Sequence, residues 1–198
     1  MIHEDVERVL IDEGVIERRL DVLARRIEED FRGEEVLQVV GVLKGALVFL
    51  ADLLRRVSLK LEIECLNVAS YHGGTESSGV VNFLDVRLPN FEGRSVLVVD
   101  DILDTGRTLA AVKAKLLEKG AREVRTCVLL TKVKKRGVVA GGSEGGGGVD
   151  GDVGVLGEAD YSAFEIGDEF VVGYGLDYEG KYRNLPFVGV LKPDVITG

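Results

Sequence analysis

The sequence predicts an α/β fold with a mainly parallel, twisted sheet flanked by helices. Apolar runs of strand length alternate along the chain with amphipathic stretches of helical periodicity, which is the pattern of a parallel sheet joined by crossover helices. Residues 36–43 form a nearly unbroken apolar run, as expected of a strand that is covered on both faces. The 198 residues, of which 45% are hydrophobic, predict a single domain over 1–198 with a substantial core.

Amphipathic stretches predict three helices. The first spans 12–30, with apolar side chains close to one face and Arg and Glu on the rest. The second spans 46–57, and three of its leucines are expected to face inward: Leu47, Leu50 and Leu54. The third follows an acidic motif in the middle of the chain and ends at Lys119, with Gly120 directly after it.

Apolar runs before and between these helices, and after them, predict the strands. They lie at 36–43, 61–69, 80–86, 95–99, 124–131, 169–174 and 188–191. Because the carboxyl ends of parallel strands meet at one edge of a sheet, that edge is where we expect the functional site. Polar residues that come just after the apolar runs are Lys44, Asp100, Asp101, Asp104 and Lys132.

The most informative motif is V-L-V-V-D-D-I-L-D-T-G-R-T at Val96–Thr108. A strand ending at Val99 leads into two adjacent carboxylates and then a third, and a turn at Thr105-Gly106 precedes a helix. Hydroxyls and backbone N–H groups at a helix N-terminus can receive a phosphate, while carboxylates can reach ribose hydroxyls or a divalent cation. The motif therefore predicts a binding site for a sugar phosphate.

Charge and composition exclude several classes. The net charge of −9 argues against a surface for nucleic acid or an anionic membrane, since such surfaces need clustered Lys and Arg. The sequence shows no signal-peptide pattern, and its longest apolar runs are far short of a membrane span. Cys65 and Cys127 both lie inside apolar runs, so we interpret them as reduced core thiols of a cytoplasmic protein.

The segment 137–157 differs from the rest in composition, because ten of its 21 residues are glycine. Such a segment has little apolar surface to bury and loses much entropy on ordering, so we expect a mobile surface insertion. A Gly-rich phosphate loop is the alternative. It is disfavoured because neither a Lys-Ser/Thr pair nor a helical pattern follows the glycines.

Five segments carry motifs of a known family. They are V-G-V-L-K-G-A at Val40–Ala46, the acidic motif, L-L-T-K at Leu129–Lys132, F-E-I-G-D-E-F-V-V-G-Y-G-L-D-Y at Phe164–Tyr178 and K-Y-R-N-L-P-F-V-G-V-L-K-P at Lys181–Pro193. Together they resemble the purine salvage phosphoribosyltransferases of the bacterial hypoxanthine(-guanine) type. The resemblance implies the type I phosphoribosyltransferase fold, with a small hood formed by the terminal segments.

The resemblance also implies the reaction. The ribose 5-phosphate unit of phosphoribosyl pyrophosphate (PRPP) would pass to N9 of a 6-oxopurine, hypoxanthine or guanine, to give IMP or GMP and pyrophosphate. Mg²⁺ would be the cofactor, and the enzyme would be a homodimer or homotetramer with no nucleic-acid or membrane partner.

By resemblance, most polar residues of these motifs serve PRPP. Asp100 and Asp101 would hold the ribose hydroxyls, Asp101 through a metal-bound water. Lys44, Gly45 and Arg183 would grip the pyrophosphate. The 5′-phosphate would be wrapped by the residues that open the helix after the acidic motif: Asp104, Thr105, Gly106, Arg107 and Thr108.

The base would be held by residues from two further motifs. The resemblance implies that Asp104 accepts a proton from purine N7 as the catalytic base, while Lys132 donates to the purine O6. Phe170 would stack on the base, the backbone of Val171 would contact its edge, and Asp177 would bind Mg²⁺ near the base and the pyrophosphate. An ammonium carries donors only, so a lysine suits a 6-oxo group and opposes the 6-amino group of adenine.

Two further features follow from the resemblance. Ser70 and Tyr71 would belong to a mobile lid that closes over the reacting centre and excludes water. The Leu43–Lys44 peptide bond is expected to be cis. Asp100 stands where a glutamate is commoner in the family.

Two other function classes share parts of the pattern. A PRPP-sensing regulatory protein on the same fold would need a basic nucleic-acid surface or an added DNA-binding domain, and the acidic charge balance counts against it. A phosphorylated receiver domain also has adjacent aspartates and a lysine at a strand end. It is disfavoured because no separate phospho-accepting aspartate stands at an intermediate strand end.

Overall fold

The structure, a computed structural model, describes residues 4–69, 82–84, 88–133 and 158–197. Strands and helices alternate in this part of the chain, which confirms the predicted α/β class. In chain order they are β1 (Val6–Ile11), α1 (Glu13–Asp30), β2 (Leu37–Leu43), α2 (Leu47–Leu54), β3 (Leu61–Ala69), β4 (Asn82–Leu84), β5 (Ser95–Leu103), α3 (Arg107–Glu118), β6 (Glu123–Lys132), β7 (Tyr161–Ile166), β8 (Val171–Val172), β9 (Val188–Leu191) and α4 (Pro193–Thr197).

The larger sheet has the strand order β4-β3-β2-β5-β6-β7 among the described residues. Its strand pairs are parallel except for β3 with β4, which is antiparallel. The central strand β5 lies between β2 and β6, so Lys44, the acidic motif and Lys132 all come to the same edge of the sheet. This is the edge at which the sequence predicted the site.

Helices cover both faces of this sheet. Leu97 and Val99 of β5 pack in one apolar cluster with α1 and α2. Val96 and Val98, which alternate with them, pack in a second cluster with α3. Because β5 is buried on both sides, an unbroken apolar sequence is what its position requires.

Strands from the two ends of the chain form a second, smaller sheet, here called the hood. Its order is β1-β9-β8, and its pairs are antiparallel. Val6 lies opposite Leu191, and Val171 lies opposite Val190. The predicted hood of terminal segments is confirmed, whereas β1 and β7 were not predicted.

The second helix is shorter than predicted, and its first side chain does not face the core. Its buried stripe consists of Phe49, Leu50, Leu53 and Leu54, whereas Leu47 is 56% exposed. The expectation that Leu47 faces inward is therefore wrong. Leu47 is the first residue of α2, and the buried stripe of the helix begins only at Phe49.

The two cysteines differ in environment. Cys127 is buried as predicted, but Cys65 is exposed, so its assignment to the core is wrong. Cys65 lies on β3, whereas the helices pack mainly on β2, β5, β6 and β7.

The strand predicted at 80–86 is described only as β4, and the one predicted at 169–174 only as β8. The Gly-rich segment 137–157 lies outside the described residues.

Candidate active site

The acid pair lies inside β5 and not in a loop after it. The strand was expected to end at Val99, but it continues to Leu103 because its parallel pairing with β6 continues, with Ile102 opposite Leu130. The side chain of Asp100 is 6% exposed and accepts a hydrogen bond from the backbone N–H of Asp101 at 2.9 Å. The carboxylate of Asp101 accepts from the backbone N–H of Ile102 at 2.8 Å.

Burial makes the charged form of this pair costly. It raises the pKa of Asp100, and the neighbouring negative charge of Asp101 raises it further. Burial also raises the pKa of Asp101, although hydrogen bonds and the positive charge of Arg183 act in the opposite direction. Two acids held together at the end of a buried strand favour any ligand that brings positive charge or hydroxyl donors to them.

Gly45 lies against Asp101 of the acid pair, and Lys44 directly precedes it. The Leu43–Lys44 peptide bond is cis, as expected. Gly45 is buried, and a Cβ on its backbone would overlap Oδ2 of Asp101. Only the absence of a side chain at this position lets the β2–α2 connection approach the end of β5 so closely.

A turn that follows β8 touches the same connection from the other side. Gly175 has a left-handed φ of +104°, and a Cβ there would overlap the carbonyl oxygen of Gly45. Arg183 donates from Nη1 to the carbonyl of Gly175 at 2.6 Å and pairs through Nη2 with Asp177 at 2.7 Å. The other carboxylate oxygen of Asp177 accepts from the N–H of Gly180 at 2.7 Å. The predicted pyrophosphate and metal residues are thus adjacent.

The predicted phosphate residues lie at the start of α3. Asp104 and Thr105 are exposed, and Gly106, with a φ of +76°, immediately precedes the helix. Arg107 and Thr108 form the first helical positions. The N-cap residue of α3 is a glycine, which makes no side-chain cap bond, and a helix N-terminus of this kind suits an anion.

Asp104 directly follows β5, and Lys132 is the last residue of the neighbouring strand β6. Leu103 of β5 lies opposite Thr131 of β6. Asp104 comes directly after Leu103, and Lys132 comes directly after Thr131. Adjacent strands are about 4.8 Å apart. The predicted catalytic base and the predicted O6 donor therefore lie at the ends of adjacent strands, at the same edge of the sheet.

The predicted base platform belongs to the hood. Phe170 is 46% exposed, and its ring meets the ring of Tyr178 edge-on, with centroids 5.7 Å apart. Val171 is buried and pairs with Val190 of β9. An exposed aromatic ring that is fixed along its edge leaves a face open to a planar ligand.

One contact of the site was not predicted, and two predicted site residues lie outside the described part of the chain. The close approach of Gly175 to Gly45 was missed, although the G-Y-G sequence of its motif is a signal for a glycine-dependent turn. Ser70 and Tyr71, the predicted lid, lie outside the described residues. Within the described part of the chain, no group of three or more His, Cys, Asp or Glu side chains is placed to hold a metal ion.

Comparison with known proteins decides the family. The model of the phosphoribosyl transferase domain matches residues 11–142. The hypoxanthine-guanine phosphoribosyltransferase of Streptococcus pneumoniae is 38% identical over 197 residues, which cover 100% of this chain and 99% of that protein. The chain belongs to the hypoxanthine-guanine phosphoribosyltransferase family. The resemblance read from the sequence motifs is confirmed.

Solved structures of this family confirm the fold. A hypoxanthine phosphoribosyltransferase of Staphylococcus aureus superimposes with a TM-score of 0.83 at 36% identity, covering 99% of this chain and 97% of that one. The hypoxanthine phosphoribosyltransferase of Trypanosoma cruzi, in complex with the product IMP, gives a TM-score of 0.78 at 34% identity, with 98% and 99% covered.

Other phosphoribosyltransferase relatives are longer. The bifunctional protein TilS/HprT of Listeria monocytogenes is 41% identical over 196 residues, which are 99% of this chain but 28% of that protein. The chain thus spans little more than a quarter of the length of these bifunctional relatives.

Proposed function

We propose that this phosphoribosyltransferase transfers the 5-phosphoribosyl group of PRPP to N9 of hypoxanthine or guanine, giving IMP or GMP and pyrophosphate in purine salvage. The observation that carries the proposal is the convergence of three segments on one point. The β2–α2 connection with Gly45, the end of β5 with Asp101 and the turn with Gly175 are in direct contact.

PRPP fits this junction by charge and by hydrogen bonding. Lys44 and Arg183 bring positive charge to the place where the leaving pyrophosphate gathers negative charge, and such charges stabilise the transition state. Asp100 and Asp101 face the ribose as hydroxyl acceptors. The N-terminus of α3 receives the 5′-phosphate at the far end of the sugar.

The donor set also fits Mg²⁺. Asp101 and Asp177 supply carboxylate oxygens from opposite sides of the junction, and Mg²⁺ in phosphate sites binds one or two carboxylates, waters and substrate phosphates. A group of three protein ligands is therefore not needed here. When bound, Mg²⁺ supplies charge neutralisation for the departing pyrophosphate.

The base is read by the neighbouring pair at the sheet edge. In a 6-oxopurine, N7 and O6 lie next to each other on one edge of the base, and Asp104 and Lys132 lie at the ends of two adjacent strands. Asp104 takes the N7 proton as the bond to N9 forms, because removal of that proton restores a neutral base. Lys132 donates to O6, and Phe170 covers the face of the ring.

The proposal is tested with purified protein, PRPP and Mg²⁺, offered hypoxanthine, guanine, xanthine and adenine side by side. We expect nucleotide formation with hypoxanthine and guanine and little with adenine. A matched reaction with excess EDTA is expected to show no turnover, and added Mg²⁺ should restore it. Failure to convert any 6-oxopurine would overturn the proposal. PRPP binding without turnover would instead favour the PRPP-sensing alternative.

We also propose a cytoplasmic homodimer or homotetramer. Among the described residues, no helix has both the length and the apolar character needed to cross a membrane. Exposed apolar side chains such as Leu47 and Ile63 suit contact with a second copy. Light scattering after size exclusion measures the mass, and a monomer at micromolar concentration would overturn the oligomer.

A further inference from the structure

Tyr174 connects the hood to a helix of the core. Its side chain is 5% exposed, and its hydroxyl donates to Oδ2 of Asp52 on α2 at 2.6 Å. Neither residue is among those that the sequence assigned to substrate. The bond nevertheless joins two elements that both border the place where Gly45 meets Asp101 and Gly175, which is here called the pyrophosphate junction.

The backbone at Tyr174 has an uncommon conformation for a large side chain. Its φ of +51° lies in the left-handed region, between Gly173 at +94° and Gly175 at +104°. A bulky residue in this region is strained and persists where its surroundings fix it. The N–H of Tyr174 donates to the carbonyl of Leu185 at 2.8 Å, so both its backbone and its side chain are held.

Asp52 is itself held by its neighbours on α2. Its other carboxylate oxygen accepts from Arg55, and its backbone carbonyl accepts from Nη1 of Arg56 at 2.8 Å. Nε of Arg56 reaches Asp21 on α1 at 3.0 Å. The acceptor for the Tyr174 hydroxyl is therefore a fixed point on the core.

The bond lies behind the pyrophosphate junction. Gly175, the next residue after Tyr174, lies against the carbonyl of Gly45 and accepts from Arg183. The helix that carries Asp52 begins at Leu47, two residues after Gly45. The Tyr174–Asp52 bond thus completes a closed set of contacts. It links the turn at 173–175 to α2, and the same turn touches the β2–α2 connection that leads into α2.

We propose that Tyr174 and Asp52 are positioning residues for the pyrophosphate end of PRPP. Their hydrogen bond holds the turn at 173–175 against the connection at Lys44–Gly45, and so sets the spacing between Arg183, Gly45 and Asp101. This inference rests on the proposed function, since it concerns the same site. Neither side chain touches the substrate.

The chemistry of the bond agrees with a constant rather than a switching role. Burial and the carboxylate of Asp52 both raise the pKa of Tyr174 above its ordinary value. The phenol therefore stays protonated and keeps donating across the range in which the enzyme works. We therefore expect the effect of this bond on PRPP binding not to depend on pH.

The first test replaces one partner at a time. Tyr174→Phe removes the hydroxyl and keeps the ring, and Asp52→Ala removes the acceptor. We expect the KM for PRPP, and the Kd for PRPP with Mg²⁺ measured by calorimetry, to rise about 5- to 20-fold, because displacement of a binding group by a fraction of an ångström weakens each contact that it makes. The KM for hypoxanthine should stay within twofold. Asp52→Asn, which retains an acceptor oxygen, is expected to recover most of the loss.

A matched control comes from the opposite end of the sheet. Tyr161 donates to Oδ2 of Asp30 at 2.7 Å, so Tyr161→Phe breaks the same kind of bond far from the junction. It should lower Tm as Tyr174→Phe does and leave the PRPP constants unchanged. A similar rise in the PRPP KM in both variants would show a general loss of stability and would overturn the proposal.

The double variant Tyr174→Phe, Asp52→Ala completes the test. If the two residues act through one bond, its PRPP Kd should be no weaker than that of the weaker single variant. A Kd weakened by the product of the two single effects would overturn the pairing, as would single variants within twofold of the wild type. Calorimetry reports these outcomes even if the wild type proves not to turn over, which would count against the proposed function alone.

Discussion

Gly45 lies so close to Asp101 that a Cβ on its backbone would occupy the position of the carboxylate oxygen Oδ2. Any side chain at this position must displace either the acid or the β2–α2 connection. Both displacements move a group that the proposed reaction requires, and a shift of 1 Å can cost about 100-fold in rate.

We therefore expect Gly45→Ala to lower kcat/KM for PRPP by about 100-fold or more. The control is Gly33→Ala, because a Cβ at Gly33 meets nothing within 4 Å. Initial rates with hypoxanthine and PRPP compare the two variants. A Gly45→Ala enzyme within threefold of the wild type would show that the contact does not constrain the site.

Asp104→Asn tests the catalytic base. An amide cannot take the N7 proton, so we expect kcat to fall about 10²- to 10⁴-fold, while the Kd for PRPP changes little. Glu118→Gln, at the other end of α3, removes an exposed carboxylate and should leave kcat unchanged. Single-turnover kinetics separates the chemical step from product release, and an unchanged chemical step would remove Asp104 from its role.

Lys132→Met tests the choice of base. A hydrogen bond from a charged donor is worth about 1.5–3 kcal/mol, so the kcat/KM for hypoxanthine should fall roughly 10- to 100-fold. Discrimination against adenine should weaken, because the unfavourable meeting of two donors is gone. Lys119→Met, an exposed change at the end of α3, is the control. The ratio of hypoxanthine to adenine turnover is the measurement, and an unchanged ratio would place the O6 contact elsewhere.

Asp100→Asn is expected to stabilise the metal-free protein while reducing its activity. The pKa of Asp100 is raised by folding, so the native state binds more protons than the unfolded chain. Its contribution to stability is complete below the ordinary aspartate range, about pH 4, and is lost as pH rises through the folded-state pKa. The variant has no such loss, so the gain in Tm should grow from pH 4 to pH 8 and reach a few degrees.

Thermal melts in the presence of EDTA measure this difference across pH. Asp168→Asn, an exposed change, should give a Tm difference that does not vary with pH in the same way. If the Tm difference between Asp100→Asn and the wild type does not change with pH, ionisation of the buried Asp100 carboxyl does not lower the stability of the fold.

The sequence predicted the central part of the site because local patterns determine it. A buried strand must be apolar, so carboxylates directly after its apolar run at Val96–Val99 indicate the functional edge. Lys44 and Lys132 follow apolar runs in the same way. These features require no knowledge of distant contacts.

What the sequence did not predict depends on distant contacts. β1 is only six residues long, and its partner strand β9 begins at Val188. No local pattern indicates that pairing. The exposure of Leu47 and Cys65 likewise depends on where neighbouring elements lie, and helical or strand spacing does not determine it. The contact of Gly175 with Gly45 joins residues 130 positions apart.

The make-up of the hood has a consequence for biosynthesis. β1 is made before β9, and it cannot pair until β9 has been made, about 10 to 35 s later at 5–20 residues per second. The strands with the phosphate-binding edge are complete well before that. A nascent chain can therefore complete the start of α3, the proposed 5′-phosphate site, while the hood strands beside Phe170 and the turn with Arg183 are still missing. The proposed purine and pyrophosphate contacts form after it.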